Sequence, residues 1–259
     1  MSPGILSDIR GFLFDLDGVF FVGDKVIPGG AEVIRHLKDR NIPCRFTTNT
    51  TTRSLETMCR EIQKMGLPME KSEIFSAPQA GVRFLRSQGS PSCYFLLNDD
   101  ARRDFAEFTE NRVDPRYVVV GDIGDGWNYE LLNLVFQMLM SGAEILALHK
   151  GRYWPMPDSL RMDIGAFVAG LEYVTGKTAT VVGKPAKEFF DLALADIGVT
   201  ADRAVMIGDD IESDIGGAQR AGMKGVLVRT GKYRQELVAR SPVKPDLIIA
   251  SIADLTKQL

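Results

Sequence analysis

Gly11-Phe12-Leu13-Phe14-Asp15-Leu16-Asp17-Gly18-Val19 is the stretch that decides the fold. A short apolar run that stops abruptly on two carboxylates reads as a buried strand of a parallel sheet, covered on both faces. In open parallel sheets the ligand crevice lies outside the carboxyl ends of the strands, which is where Asp15 and Asp17 would stand.

The same grammar recurs outward from this strand. A helix is expected near Ala31–Arg40, with Val33, Ile34 and Leu37 on one face, and then a strand at Cys44–Thr48. Ser54 is placed as the N-cap of a helix whose apolar face is Leu55, Met58, Cys59, Ile62 and Met65, closed by Gly66. A further helix fits Ala77–Gln88. In the latter part, strands are expected at Thr180–Val182, Ala204–Ile207, Gly225–Arg229 and Leu247–Ala250. A helix opened by Lys184-Pro185 carries Phe189, Ala193 and Ile197 in register, and another covers Asp214–Ala221. Strands alternating with helices in this way predict an α/β chain with a Rossmann-like, doubly wound parallel sheet.

Spacing divides the chain. From Asp15 to Thr48 is 33 residues, enough for a turn, a helix and a strand. From Thr48 to Lys184 is 136, about 90 more than a strand–helix–strand connection with one extra helix needs. The surplus is itself α/β, with strands expected at Cys93–Leu97, Tyr117–Val120 and Ile145–Leu148 and helices at Asn128–Met140 and Ala166–Thr175. The expected organisation is a core of residues 1–89 and 178–259, interrupted by an inserted domain of residues 90–177.

The chain has 259 residues, 45% hydrophobic and 25% charged, an ordinary globular composition that excludes a wholly disordered or fibrous protein. A formal charge of −3 argues against a general nucleic-acid binder. Cys44, Cys59 and Cys93 share no metal-ligand spacing and read as reduced thiols of a cytoplasmic protein. Only two histidines are present, His36 and His149, which argues against a His-rich zinc site. No apolar run approaches 18 residues, and Met1–Arg10 lacks the pattern of a signal peptide, so no membrane partner is expected.

Polar groups gather at four strand ends: Asp15 and Asp17, Thr48 and Asn49, Lys184, and Asp209 with Asp214. Singly, each has a plain reading as a turn residue, a β-branched strand residue or a solvated lysine. Together on one sheet edge they suit phosphoryl transfer. A carboxylate such as Asp15 can attack phosphorus and split one difficult step into two. Mg²⁺ would neutralise the transferred charge through hard oxygen ligands, with carboxylates from Asp15 and Asp209, while Asp214 ties down metal-bound water. Lys184 would hold a phosphate oxygen and Thr48 would donate to another. Asp17 would protonate the leaving oxygen and later activate water, which favours hydrolysis over a long-lived phosphoenzyme.

Asp15-Leu16-Asp17-Gly18-Val19, Thr48-Asn49, Gly183-Lys184-Pro185 and the run from Gly208 to Asp214 resemble the four ordered motifs of the haloacid dehalogenase superfamily. The stretches Phe46–Thr51 and Lys150-Gly151-Arg152-Tyr153-Trp154 are similar to those of its class IIA, NagD-type phosphatases. The resemblance implies that Asp15 is nucleophile and Mg²⁺ ligand, Asp17 the acid/base and a ligand through its backbone carbonyl, and Asp209 the remaining ligand. It further implies that Thr48, Asn49 and Lys184 hold phosphate, that residues 90–177 form a C2-type cap, and that the cap mediates a homodimer. The substrate would be a small phosphorylated metabolite: a phosphate ester, a phosphoramidate or pyrophosphate. A phosphotransferase or mutase of the same superfamily, a non-catalytic phospholigand-binding protein and a phospho-accepting receiver domain are the competing readings. Two cap segments, around Asp99 and around His149, Arg152 and Tyr153, read either as a specificity loop or as solvated turns with an interface. Arg229-Thr230-Gly231-Lys232 has a phosphate-friendly composition but reads as a loop after a strand.

Overall fold

The computed structural model describes residues 5–155 and 159–257, in two compact units. The expected termini 1–4 and 258–259 lie outside the described residues. One unit holds residues up to Thr48, then Met58–Phe75, then Lys184 onward; the other holds Asn49–Thr57 and Ser76–Gly183.

The first unit is built on a six-stranded sheet ordered Leu247–Ile249, Lys224–Val228, Ala204–Gly208, Gly11–Asp15, Cys44–Thr48, Ile74–Ser76. Gly11–Asp15 is central and fully buried, as its unbroken apolar run requires. It pairs in parallel with Ala204–Gly208 on one side and Cys44–Thr48 on the other. The chain thus winds one way through Cys44–Thr48 and returns on the opposite side through Ala204–Gly208, which creates a switch point beside the central strand. Register sets Phe14 against Ile207 and Asp15 against Thr47, so the polar residues that follow these strands emerge together.

Burial of large rings holds this sheet. Phe14 stacks on Phe46 at 5.7 Å and meets Phe20 edge-on at 5.5 Å, while Phe75 packs on Phe189 at 4.9 Å. Each buried ring contributes roughly 1.5–3 kcal/mol of transfer free energy. Helices Gly30–Asp39 and Lys187–Ile197 present Val33, Ile34 and Leu37, and Phe189, Phe190, Ala193 and Leu194, as buried faces. The second of these helices starts at Lys187 rather than at Pro185, and the Lys184–Pro185 bond is cis.

The second unit has its own four-stranded sheet, Thr180–Val181, Glu144–Ala147, Tyr117–Val120 and Cys93–Leu96, all parallel. Its core joins Val118, Val120, Ile145, Val135, Leu139, Val168 and Leu171, the last four from helices Tyr129–Met140 and Gly165–Thr175 together with the sheet. Two elements outside residues 90–177 belong to it. Helix Ala77–Ser87 sets the Phe84 ring edge-on to Tyr117 at 5.6 Å, and strand Thr180–Val181 pairs with Glu144–Ala147 rather than extending the first sheet. A short β-branched run specifies a strand but not its partner, which explains the difference. Strands Tyr153–Pro155 and Leu160–Met162 pair antiparallel.

Candidate active site

The first unit brings Asp15, Lys184, Asp209 and Asp214 together, all buried. Asp15 closes the central strand, and Asp209 follows the neighbouring strand Ala204–Gly208. Lys184 Nζ lies 2.5 Å from Asp15 Oδ1 and 2.7 Å from Asp214 Oδ1. One carboxylate oxygen from each of Asp15, Asp209 and Asp214 falls within 4.8 Å of the others, an arrangement able to hold a metal ion.

Asp214 sits on a π-helical turn, Ile211–Gly216, followed by helix Gly217–Arg220, where one regular helix over Asp214–Ala221 is expected from sequence. Such turns concentrate at functional sites. Asp210 caps this turn: its Oδ1 accepts from the main-chain N–H of Glu212 and of Ser213, each at 3.0 Å. The N–H of Asp210 in turn donates to Asp214 Oδ2 at 3.2 Å. Both Asp214 oxygens are therefore engaged by the protein, one by Lys184 and one by Asp210.

Electrostatics follow from burial. Asp15 and Asp209 are both pushed above the usual carboxylate range by desolvation. Lys184 pulls Asp15 back, whereas Asp15 and Asp214 push Asp209 further. Asp214 rises to about 7, again through burial, with Lys184 opposing. Burial disfavours the Lys184 ammonium, yet Asp15 and Asp214 outweigh it and hold its pKa above the ordinary value.

Thr48 is buried at the end of its strand, and Thr47 beside it donates to the Phe14 carbonyl at 2.9 Å. Asn49 begins the second unit. Asp17 is exposed in the turn after the central strand, where Gly18 donates its N–H to Phe21 O at 2.7 Å.

Asp99, His149, Arg152 and Tyr153 all lie in the second unit. Asp99, Arg152 and Tyr153 are exposed. His149 is buried, and its Nδ1 accepts from Gly151 N–H at 3.0 Å, closing a turn. In the segment around Asp99, Asp100 accepts from Ser54 N–H at 2.9 Å and Thr57 Oγ1 at 3.0 Å, and Asp104 accepts from Leu55 N–H at 3.0 Å. These two carboxylates satisfy the start of helix Leu55–Lys64, alongside the expected cap in which Ser54 Oγ accepts from Thr57 N–H at 3.2 Å.

Lys232, expected from sequence to lie in a plain loop after a strand, joins the acid group. Its main-chain N–H donates to Asp209 Oδ2 at 2.7 Å, and its ammonium lies 3.3 Å from Asp210 Oδ2. The signal was available, since Thr230-Gly231-Lys232 follows a strand end just as the other site segments do.

A central parallel strand ending on a buried carboxylate, with a lysine and two further acids around it, suits phosphoryl-transfer chemistry, and likeness to known proteins supplies the class. The chain belongs to the haloacid dehalogenase-like hydrolases, within the class IIA phosphatases. Residues 12–109 match the family described as haloacid dehalogenase-like hydrolase, and residues 181–255 match that described as HAD-hydrolase-like. Haloacid dehalogenase-like hydrolase domain-containing protein 2 of Bos taurus is 40% identical over 226 residues, covering 87% of this chain and 86% of that protein. Human phospholysine phosphohistidine inorganic pyrophosphate phosphatase is 37% identical over 255 residues, covering 96% and 93%. Among solved structures, the 4-nitrophenylphosphatase of Thermotoga maritima superposes with a TM-score of 0.90 at 26% identity, over 97% of this chain and 98% of that one.

Proposed function

We propose that the chain is a Mg²⁺-dependent phosphohydrolase acting on a small phosphorylated metabolite through an aspartyl phosphate on Asp15. The observation that carries this reading is the Lys184 ammonium 2.5 Å from Asp15 Oδ1 inside a buried group of three carboxylates. Burial raises the Asp15 pKa and Lys184 opposes that, favouring the anion a nucleophile requires.

The residues fit Mg²⁺. Asp15 and Asp209 present hard oxygen donors at neighbouring strand ends, and the mutual repulsion that raises Asp209 is what a divalent cation would relieve. Asp15, Asp209 and the Asp17 carbonyl are the proposed ligands. Asp214, already tied to Lys184 and Asp210, supports them from behind. The ion would supply charge neutralisation on the transferred phosphoryl group.

Asp15 Oδ attacks phosphorus as the bond to the leaving atom breaks, and Asp17 gives that atom its proton. Ionised Asp17 then takes a proton from water, whose oxygen attacks the phosphorus of the aspartyl phosphate. Inorganic phosphate departs, Asp15 returns as carboxylate and Asp17 is reprotonated. Lys184, Thr48 and Asn49 donate to the phosphoryl oxygens throughout.

A phosphate ester, a phosphoramidate or pyrophosphate suits this chemistry, and the name of the human relative supports the last two. Residues 90–177 are the proposed cap, with Asp99, Arg152 and Tyr153 as exposed candidates for leaving-group selection. We assign a homodimer contact to the cap helices. Gly165–Thr175 carries a single charged residue, Glu172, and Tyr173, Val174, Leu134 and Met140 are exposed apolar side chains on these helices. A cytoplasmic location is supported by three buried free thiols. Among the described residues no helix is long and apolar enough to cross a membrane.

Asp15→Asn abolishes phosphate release from p-nitrophenyl phosphate on this account. Wild-type turnover by that variant would overturn it, and phosphate release in water without an acceptor separates hydrolase from phosphotransferase.

A further inference from the structure

The loop after strand Lys224–Val228 is folded against the acid group instead of standing in solvent. Thr230 Oγ1 donates to the carbonyl of Gly18, linking this loop to the turn that follows Asp15 and Asp17. Two residues on, Lys232 N–H takes Asp209 Oδ2 at 2.7 Å. The Asp209 carboxylate is walled by Gly18 (φ +84°) and Gly231 (φ +59°), and a Cβ on either would overlap Oδ2. Both positions need a left-handed backbone and no side chain, which glycine alone supplies without strain. The Lys232 ammonium reaches Asp210, whose carboxylate caps the turn that carries Asp214.

We infer that Thr230, Gly231 and the main chain of Lys232 are positioning elements of the acid centre, which hold Asp209 with Oδ2 against Lys232 N–H and so fix the oxygen offered to a divalent cation. The inference rests on the proposed reading of that centre as a Mg²⁺ site. The terminal torsion of an aspartate is broad, so an unheld carboxylate samples many orientations. A ligand oxygen has to be kept within about 0.5 Å of its working position. Three contacts on one carboxylate from a single loop and its glycine counterpart meet that need. Thr230 is the keystone, because its hydroxyl is the side-chain bond that seats the loop on the Gly18 turn.

The test titrates Mg²⁺ calorimetrically into the metal-free full chain, as wild type, Thr230→Val and Thr230→Ser, with kcat measured at saturating Mg²⁺. Thr230→Val removes the donor at nearly constant volume and should weaken Mg²⁺ binding by about 10–100-fold, the usual consequence of losing an outer partner of a metal ligand. Thr230→Ser restores the hydroxyl and should recover most of that loss. The change in affinity should exceed the change in kcat, a split that general loss of stability would not produce. Thr230→Val that is folded by circular dichroism and binds Mg²⁺ within about twofold of wild type would overturn the loop's role alone. Wild type that binds no Mg²⁺ would overturn the reading of the centre itself.

Discussion

Lys184 forms an ion pair with Asp15 at 2.5 Å while only 3% of the lysine is exposed, so a cation of the acid group is held almost out of reach of water. A pair in this position is weak evidence for stability but strong evidence for function. Burying two charges costs several kcal/mol per ion, and a chain selected for stability alone would do as well with apolar residues of equal volume. The same lysine touches Asp214 at 2.7 Å, so its charge is shared between the acid at the strand end and the acid on the π-helical turn.

Lys184→Met leaves those carboxylates buried without compensation. In EDTA at pH 8 the variant should lose about 3–5 kcal/mol in urea unfolding, the cost of breaking a buried pair from one side. The deficit should shrink at pH 5, where the carboxylates take up protons. Turnover of p-nitrophenyl phosphate should fall by about 10²–10³, as when a preorganised donor to a developing anion is removed. A deficit that is the same at both pH values would refute the electrostatic role.

The metal-free protein should be less stable above neutrality than below it, as far as these acids are concerned. Asp15, Asp209 and Asp214 have folded-state pKa values raised above the unfolded ones. Their contribution is therefore fully present below the unfolded carboxylate range and is lost as pH rises through the folded values, about 7 for Asp214. Mg²⁺ binds the ionised form, so the rise in Tm on adding Mg²⁺ should be larger at pH 8 than at pH 6. An equal or larger rise at pH 6, read by differential scanning fluorimetry, contradicts this.

Asp100→Ala should cost about 0.5–2 kcal/mol, since it removes the acceptor for the Ser54 N–H and the Thr57 hydroxyl at the start of helix Leu55–Lys64. Burial works against the Asp100 carboxylate, but the Ser54 N–H, the Thr57 hydroxyl and Arg103 outweigh it and lower its pKa. Its stabilisation is thus present above the unfolded pKa and is lost as pH falls through the folded one. Denaturation of the pair of proteins should show a gap at pH 7 that narrows in acid; a constant gap would contradict the assignment.

Burial raises the Cys44 thiol to about 11, with Glu73 adding to it, and raises the Cys93 thiol to about 12. Neither should react with iodoacetamide in the native protein at pH 7.5, and both should react in urea. Peptide mapping that finds rapid native alkylation at Cys44 or Cys93 would contradict their placement.

How much of this was legible beforehand can be judged residue by residue. Strand Gly11–Asp15 is decided locally, because a fully apolar run ending in carboxylates has one economical reading, and its neighbours Cys44–Thr48 and Ala204–Gly208 follow the same rule. The convergence of Asp15 and Asp209 was legible because both stand at strand ends, whereas Lys184 follows a strand of the other sheet and Asp214 rides on the turn after Asp209. Strand Thr180–Val181 was recognisable as a strand but not assignable to a sheet, since pairing partners are chosen by tertiary packing. The π-helical turn at Ile211–Gly216 is likewise hidden, because its apolar spacing matches a regular helix. Lys232 was legible only as part of a loop after a strand, because its contact with Asp209 is made by the main chain, which residue type does not report.

The claim on which the rest depends is that Asp15 carries the phosphoryl group, and trapping it there is the most direct test. Asp17→Asn removes the base that activates water and should let the intermediate accumulate. Acid quench during turnover, borohydride reduction of the acyl phosphate and peptide mass spectrometry should then find Asp15 reduced to homoserine, with less in wild type. Reduction confined to Asp209 or Asp214, or an unmodified Asp15 in both proteins while phosphate is released, would contradict the account.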